Sequence, residues 1–251
     1  MVDHLQFGNP EDPEIFWTFM ESLEGLTDFA KFLNIPCVGG KVSFYNETPS
    51  GPIKPTPLIG VLGIINKTPL HPTPPKSGDY MIIVGNTKNE LGGSEYFEYI
   101  HDFIGGICPT VDFKSSKSNM TSVLSLIKQG LIKSVHDCSK GGLSIALSEV
   151  SIFGNIGCII DITKAPSEKT LDSEKLLFSE THSRYLLTVS LENINKVKDI
   201  LSKNKNSFGV LGQFTSDQII VKYKTKSLIK INVDKAQRKY FNALKEILDN
   251  G

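Results

Sequence analysis

The sequence predicts an α+β fold of the mixed α/β kind, and three observations carry that expectation. Segments with apolar residues at helical spacing alternate with short runs rich in β-branched and aromatic residues. Several of those runs follow closely enough to pair as hairpins, and Gly- or Pro-rich clusters punctuate the chain. Helices interleaved with partly hairpin-joined strands are expected to pack as layers around a sheet.

In chain order, a brief strand-like alternation from Met1 ends in the turn Gly8-Asn9-Pro10. From Pro13 the residues Ile15, Phe16, Phe19, Met20, Leu23, Leu26, Phe29, Ala30 and Leu33 form one broad apolar face, predicting a core helix. Asp12 or Asn9 can cap it, Pro36 stops it, and Trp17 is read as packing. The next stretch, Val38-Gly39-Gly40-Lys41-Val42-Ser43-Phe44-Tyr45-Asn46-Glu47-Thr48, is dense in small and polar residues and is read as β or extended backbone passing into a loop. Its glycines let backbone approach a ligand, and Lys41 and Ser43 add an ammonium and a hydroxyl suited to phosphate oxygens. The P-loop pattern G-x-x-x-x-G-K-[S/T] is excluded, because Ile35 stands at its first glycine and Val42 at its Ser or Thr. A plain Gly-Gly turn is the alternative.

A Pro-rich connection over 49–57 leads to the apolar run 58–65, predicted as a strand buried on both faces. Residues 68–78 hold Pro69, Pro72, Pro74 and Pro75 without periodicity, so the expected organisation is an N-terminal domain 1–67, a linker 68–78 and a C-terminal α/β domain 79–251. That domain opens with a strand at 80–85, and Ser94 is placed to cap a helix running through Glu98 and Tyr99. A helix is predicted at 119–129 with Met120, Val123, Leu124 and Ile127 inward and Gly130 as its stop. A strand at 132–135, a helix at 143–151, strands at 158–162 and 184–189, and a helix at 192–201 follow. Strands at 210–214, 218–222 and 228–233 precede a helix at 235–248 with Ala236, Tyr240, Ala243, Leu244 and Ile247 as its stripe.

Composition narrows the function class. Lys+Arg and Asp+Glu are both 27, so no net field favours nucleic acid or an anionic membrane. Cys37, Cys108, Cys138 and Cys158 lie far apart with no C-x-x-C pair, which argues against zinc or a redox dithiol and for buried free thiols in a reducing setting. No apolar run reaches the ~20 residues of a membrane span and the start lacks signal-peptide character, so a cytoplasmic location is expected.

Two further constellations stand out. His136-Asp137-Cys138-Ser139-Lys140-Gly141-Gly142-Leu143 joins a strand to a helix; it can present amides to a phosphate, or be a turn capped by Asp137 or Ser139. Leu177 to Arg184 gathers Glu180, His182 and Arg184, either a metal or anion site or a solvated loop with a local ion pair.

Taken together, Asp3-x-Leu5-x-Phe7-Gly8-Asn9-Pro10, the run from Pro36 to Thr48, Pro55-Thr56-Pro57 and Gly60-Val61-Leu62-Gly63 resemble the phosphoribosylformylglycinamidine synthase family of purine biosynthesis. Leu91-Gly92-Gly93-Ser94-Glu95-Tyr96, Asp137 to Leu143, and Phe178-Ser179-Glu180 with Arg184 are similar to that family's later motifs, in the same order. The resemblance implies an aminoimidazole ribonucleotide synthetase-like half, with part of an N-terminal barrel-forming domain and a complete C-terminal α/β domain. The family's synthetase subunit has two such halves, and the chain looks like most of the second, with the first half and the start of the second expected to lie elsewhere. A relation to thiamine monophosphate kinase or selenophosphate synthetase is disfavoured by Phe44-Tyr45-Asn46-Glu47-Thr48.

The resemblance further implies an ATP- and magnesium-dependent ligase. Formylglycinamide ribonucleotide and glutamine-derived ammonia become the amidine, with a glutaminase subunit, a small accessory subunit and the first half as partners. Asp3 and Gly40 match the family's ATP-binding positions and Ser43 a substrate-binding serine. Lys41 replaces a magnesium-binding asparagine, and since a protonated ammonium has no lone pair, it is expected to meet a phosphate oxygen instead. Asp137, Glu180 and His182 align with first-half residues that bind metal and substrate, and are not expected to be catalytic here. No catalytic residue is expected in this chain, which alone is expected to be inactive and either to form a homodimer or to be poorly soluble.

Overall fold

The computed structural model describes residues 1–65 and 72–250. Its contacts divide the chain into two units, Met1–Thr68 and Pro69–Gly251. The first part of the expected 68–78 linker lies outside the described residues.

In the first unit, β1 (Val2–Gln6) leads into α1 (Pro13–Leu33), then β2 (Gly39–Ser43), the two-residue pair β3 (Glu47–Thr48) and β4 (Gly51–Pro52), and β5 (Thr56–Gly60). Asp12 caps α1, its Oδ1 accepting from the amides of Glu14 at 2.8 Å and Ile15 at 3.4 Å, and Asn34 ends the helix in the left-handed conformation with φ 56°. The sheet order is β2-β1-β5, parallel between β1 and β2 and antiparallel between β1 and β5. Phe7 packs edge-on against Phe19 of α1, and Phe19 in turn against Phe44, so Leu5 and Phe7 point to the helix side of the sheet and are buried.

Two expectations fail in this unit. The apolar run 58–65 is not a doubly buried strand: β5 stops at Gly60, Leu58 and Ile59 are exposed, and Leu62 and Ile64 are 96% and 94% exposed. No residue of α1 is fully buried either, and Trp17 stands 61% exposed. Hydropathy dictates that these side chains avoid water, but one small sheet covers too little area to bury them all.

The second unit contains β6 (Tyr80–Val84), α2 (Glu95–His101), α3 (Phe113–Lys128), β7 (Ser134–Asp137), α4 (Gly142–Gly154), β8 (Cys158–Asp161), α5 (Ser173–Phe178), β9 (Tyr185–Val189) and α6 (Ile194–Lys203). The chain then runs through β10 (Phe208–Phe214), β11 (Gln218–Tyr223) and β12 (Lys226–Asn232) into α7 (Val233–Asn250). One sheet has the order β12-β11-β8-β10-β6-β9-β7, antiparallel throughout except for the β8–β11 pair.

The alternation of β6 explains the layering. Met81 and Ile83 enter one core with Leu143, Leu147 and Leu177 of α4 and α5, while Ile82 and Val84 enter another with Val123, Leu126, Val197 and Leu201 of α3 and α6. Helices therefore cover both faces, which requires a central strand apolar at every position. Each such side chain contributes on the order of 1.5–3 kcal/mol on burial.

The expected helix at 119–129 begins six residues earlier, at Phe113, under an Asp112 cap. Its inward face includes Ser116, Asn119 and Ser122, and Leu124, expected inward, is exposed. Part of the expected stripe of the last helix, Tyr240, Leu244 and Ile247, is exposed as well. Of the cysteines expected to be buried, Cys138 and Cys158 are, whereas Cys37 and Cys108 are exposed. No described helix is long and apolar enough to cross a membrane.

Candidate functional site

The register of the first sheet brings two of the candidate residues together. Asp3 pairs with Gly40 across β1 and β2. A Cβ built on Gly40 would collide with the Asp3 carboxylate, lying 2.7 Å from its Cγ. Glycine is therefore what lets the carboxylate lie over β2. The Cys37 thiol donates to Asp3 Oδ2 at 3.2 Å, a contact that no sequence pattern signalled.

Beside this pair is a cavity of about 630 Å³ between the start of β1 and the second half of α1. Leu23, Leu26, Ala30 and Ile35 give it an apolar wall, Lys31 lines it at the last turn of the helix, and Asp3 and Cys37 line its other side. An apolar slot with one carboxylate fits a flat heteroaromatic ring that carries an exocyclic amine.

Lys41 and Ser43 do not join this cavity. Their register partners are His4 and Gln6, which alternate with Asp3 and Leu5 and so occupy the face of the sheet away from α1. The β2 stretch thus serves two faces. On the open face, Asn46 Nδ2 donates to the carbonyls of Phe7 and Ser43 at 3.0 Å and to Ser43 Oγ at 3.2 Å, fixing the loop after β2. The neighbouring Tyr45 has φ 58°, a left-handed conformation that costs an aromatic residue on the order of 1–3 kcal/mol and is held by the bond from its amide to the Gly8 carbonyl.

The constellations of the second unit resolve differently. The amide of Gly141 donates to Glu180 Oε1 at 2.8 Å and that of Gly142 to the Ser139 carbonyl at 3.0 Å, so neither is turned to a phosphate. Neither Asp137 nor Ser139 caps α4; its N-cap is Gly141, without a side-chain cap bond. At Gly142, with φ +62°, an added Cβ would run into the carbonyl of Ser179, so this glycine serves close backbone packing.

The cluster at 177–184 is dispersed. Glu180 Oε1 also accepts from the Glu95 amide at 2.9 Å, tying α2 to the turn before α4. Arg184 is fully buried, its Nε donating to the Thr181 carbonyl at 3.0 Å, one terminal nitrogen to Thr87 Oγ1 at 3.2 Å and the other to the Ser179 carbonyl. His182 is exposed. Among the described residues no group of three or more His, Cys, Asp or Glu is placed to hold a metal.

Comparison with known proteins adds to this geometry. The domain described as AIR synthase related protein, C-terminal domain, matches residues 76–224, and the corresponding N-terminal domain matches residues 1–65. The chain is 41% identical over 249 residues to the phosphoribosylformylglycinamidine synthase subunit PurL of Thermococcus sibiricus, covering 99% of itself and 34% of that protein. With the same subunit of Methanocaldococcus jannaschii the identity is 39% over 256 residues, again 34% of the relative. The chain thus spans about a third of the length of these relatives. Among solved structures, T. maritima PurL complexed with FGAR superposes with a TM-score of 0.73 at 16% identity, covering 94% of this chain and 39% of that one. The HypE–HypF complex superposes with a TM-score of 0.61 at 18% identity, covering 92% and 77%. At such identities these likenesses establish the fold.

Proposed function

Because the chain belongs to the AIR synthase related protein family, we propose that it is one portion of an ATP-dependent ligase. The reaction would turn formylglycinamide ribonucleotide, glutamine-derived ammonia and ATP into formylglycinamidine ribonucleotide, ADP and phosphate, in the cytoplasm. The relatives named phosphoribosylformylglycinamidine synthase subunit support this reading across almost the whole chain. Since the chain spans a third of them, it supplies part of the site, and the first half, a glutaminase subunit and a small accessory subunit supply the rest.

The observation that carries the proposal is the pairing of Asp3 with Gly40 beside the cavity under α1. There Asp3 accepts from the amine of the ATP base, the apolar wall holds the ring, and Gly40 keeps the carboxylate in place. On the other face, Lys41 places a positive charge for a phosphate oxygen and Ser43 a hydroxyl for the ribonucleotide. The amide oxygen of the substrate is a poor leaving group until phosphorylated, so fixed donors around the transferred phosphoryl group are what such a site must provide. Lys41 itself cannot ligate magnesium, since a protonated ammonium has no lone pair. On this reading the ion belongs with carboxylates of the first half.

A second reading, a non-catalytic half that binds nucleotide structurally, is favoured by the dispersal of Glu180, His182 and Arg184. Mixing the chain with a separately made first half, ATP, ammonia and substrate separates the two. Amidine formed only in the mixture supports the ligase portion; nucleotide binding without turnover in any mixture supports the scaffold. The exposed apolar faces of α1 and β5 lead us to expect self-association of the chain alone, and a monomer by light scattering at micromolar concentration contradicts that.

A further inference from the structure

The second unit holds another cavity, of about 360 Å³, which the reading above leaves unused. It opens where the loops after β6, before β9 and before β10 meet the first turns of α3. Its floor is a network of amides and hydroxyls. Asn119 Nδ2 donates to the Ser183 carbonyl at 3.0 Å, Asn206 Nδ2 donates to Asn119 Oδ1 at 2.9 Å, and Ser183 Oγ donates to Ser116 Oγ at 2.5 Å.

The network ends on an acceptor. Asn206 is 8% exposed, and its Oδ1 is buried with no hydrogen-bond partner among the described residues. A buried acceptor left without a donor costs about 1–3 kcal/mol, so a water or a ligand hydroxyl that donates to it is favoured here. Lys205 and Ser183, on separate walls, have φ 57° and 60°, left-handed conformations that are held by their surroundings and cluster at ligand sites.

The rim carries the opposite character. Lys88, Lys114 and Lys205 line it against Asp112 and Glu168. Lys88 is shared with Glu168 at 3.6 Å, and Asp112 is engaged by the amide and hydroxyl of Ser115 at 3.0 and 2.7 Å. Lys114 and Lys205 have no ion pair among the described residues, and both are exposed. Among the described lining residues His182 is the one aromatic side chain and no Val, Leu, Ile, Met, Phe, Tyr or Trp lines the cavity, so it lacks the apolar wall that holds a base ring.

We propose that this cavity binds a small phosphorylated polyol, its phosphate at Lys114 and Lys205 and a hydroxyl donating to Asn206 Oδ1. The test is calorimetric titration of the full chain with ribose 5-phosphate, glycerol 3-phosphate, inorganic phosphate and free ribose. The phosphorylated polyols are expected to bind saturably with Kd of ~1 mM or tighter, and at least tenfold more tightly than inorganic phosphate or ribose. The double variant Lys114→Glu, Lys205→Glu changes exposed side chains, and is expected to weaken that binding at least tenfold while leaving ATP affinity unchanged. Asn206→Asp, which keeps the acceptor, is expected to retain a hydroxyl-dependent preference. Absence of saturable binding up to ~10 mM, equal affinity for inorganic phosphate, or an unchanged Kd in the lysine variant overturns the proposal. ATP titrated into the same samples reports on the Asp3 cavity, so failure of one site is distinguishable from failure of the other.

Discussion

Asp3 and Gly40 stand opposite each other in the parallel pairing of β1 and β2, and the Asp3 carboxylate fills the space that a side chain at position 40 would need. Gly40→Ala must displace that carboxylate and break its 3.2 Å contact with Cys37. ATP affinity is expected to fall about tenfold, or ~1.4 kcal/mol, by calorimetry. Gly39→Ala, whose Cβ meets nothing within 4 Å, is the control and is expected to bind as wild type.

Thiol chemistry gives an independent reading of the same place. Cys37 and Cys108 are exposed, whereas Cys138 and Cys158 are buried and desolvation pushes their thiols up to about 11. Because the thiolate is the reactive form, an aromatic disulfide reagent at pH 8 is expected to modify Cys37 and Cys108 quickly, and the buried pair only on unfolding. ATP is expected to slow labelling of Cys37 and not of Cys108. Equal rates with and without ATP, read by peptide mass spectrometry, would remove Cys37 from the nucleotide site.

Much of the fold was legible because the second unit keeps local and global patterns in agreement. The run at Tyr80–Val84 is apolar at every position, and it is the strand that helices cover on both sides. The errors have physical causes. Leu58 and Ile59 read as buried because hydropathy reports a preference for leaving water, not the presence of something to pack against. The first turns of α3, at 113–118, carry no apolar stripe because the inward residue there, Ser116, is polar and bonded to Ser183, 67 residues away. The α4 cap was misassigned because Gly141 is held by Glu180, 39 residues away. At the site, the sequence singled out the β1 and β2 stretches, but only the register shows Asp3 with Gly40 on one face and Lys41 with Ser43 on the other.

Among the described residues Arg184 is the largest fully buried side chain, and its partners there are two carbonyls and one hydroxyl, with no carboxylate in direct contact. Burial pushes its guanidinium below the usual range, but the group holds Thr87 against the loop at Ser179–Thr181. Arg184→Leu strands those acceptors, and is expected to destabilise the chain by ~3 kcal/mol or more in urea unfolding. A loss under ~1 kcal/mol would mean that water replaces it.

Lys41 tests the departure from the asparagine expected at its position. Because β2 is an edge strand, a triphosphate leaving the Asp3 cavity can pass around it to Lys41, and Lys41→Asn is then expected to weaken ATP binding in the absence of divalent cations and to introduce a magnesium dependence. If affinity and its magnesium dependence are both unchanged, Lys41 does not meet a phosphate.

The central proposal is that Asp3 and the cavity beside it hold the base of ATP, this chain's part of the nucleotide site. Titration of ATP into the purified chain, wild type and Asp3→Leu, tests it most directly. The account predicts saturable one-site binding to the wild type and a loss of at least tenfold in Asp3→Leu, with its circular dichroism spectrum unchanged. Saturable binding of equal strength to both proteins, or no binding to the folded wild type, would contradict it.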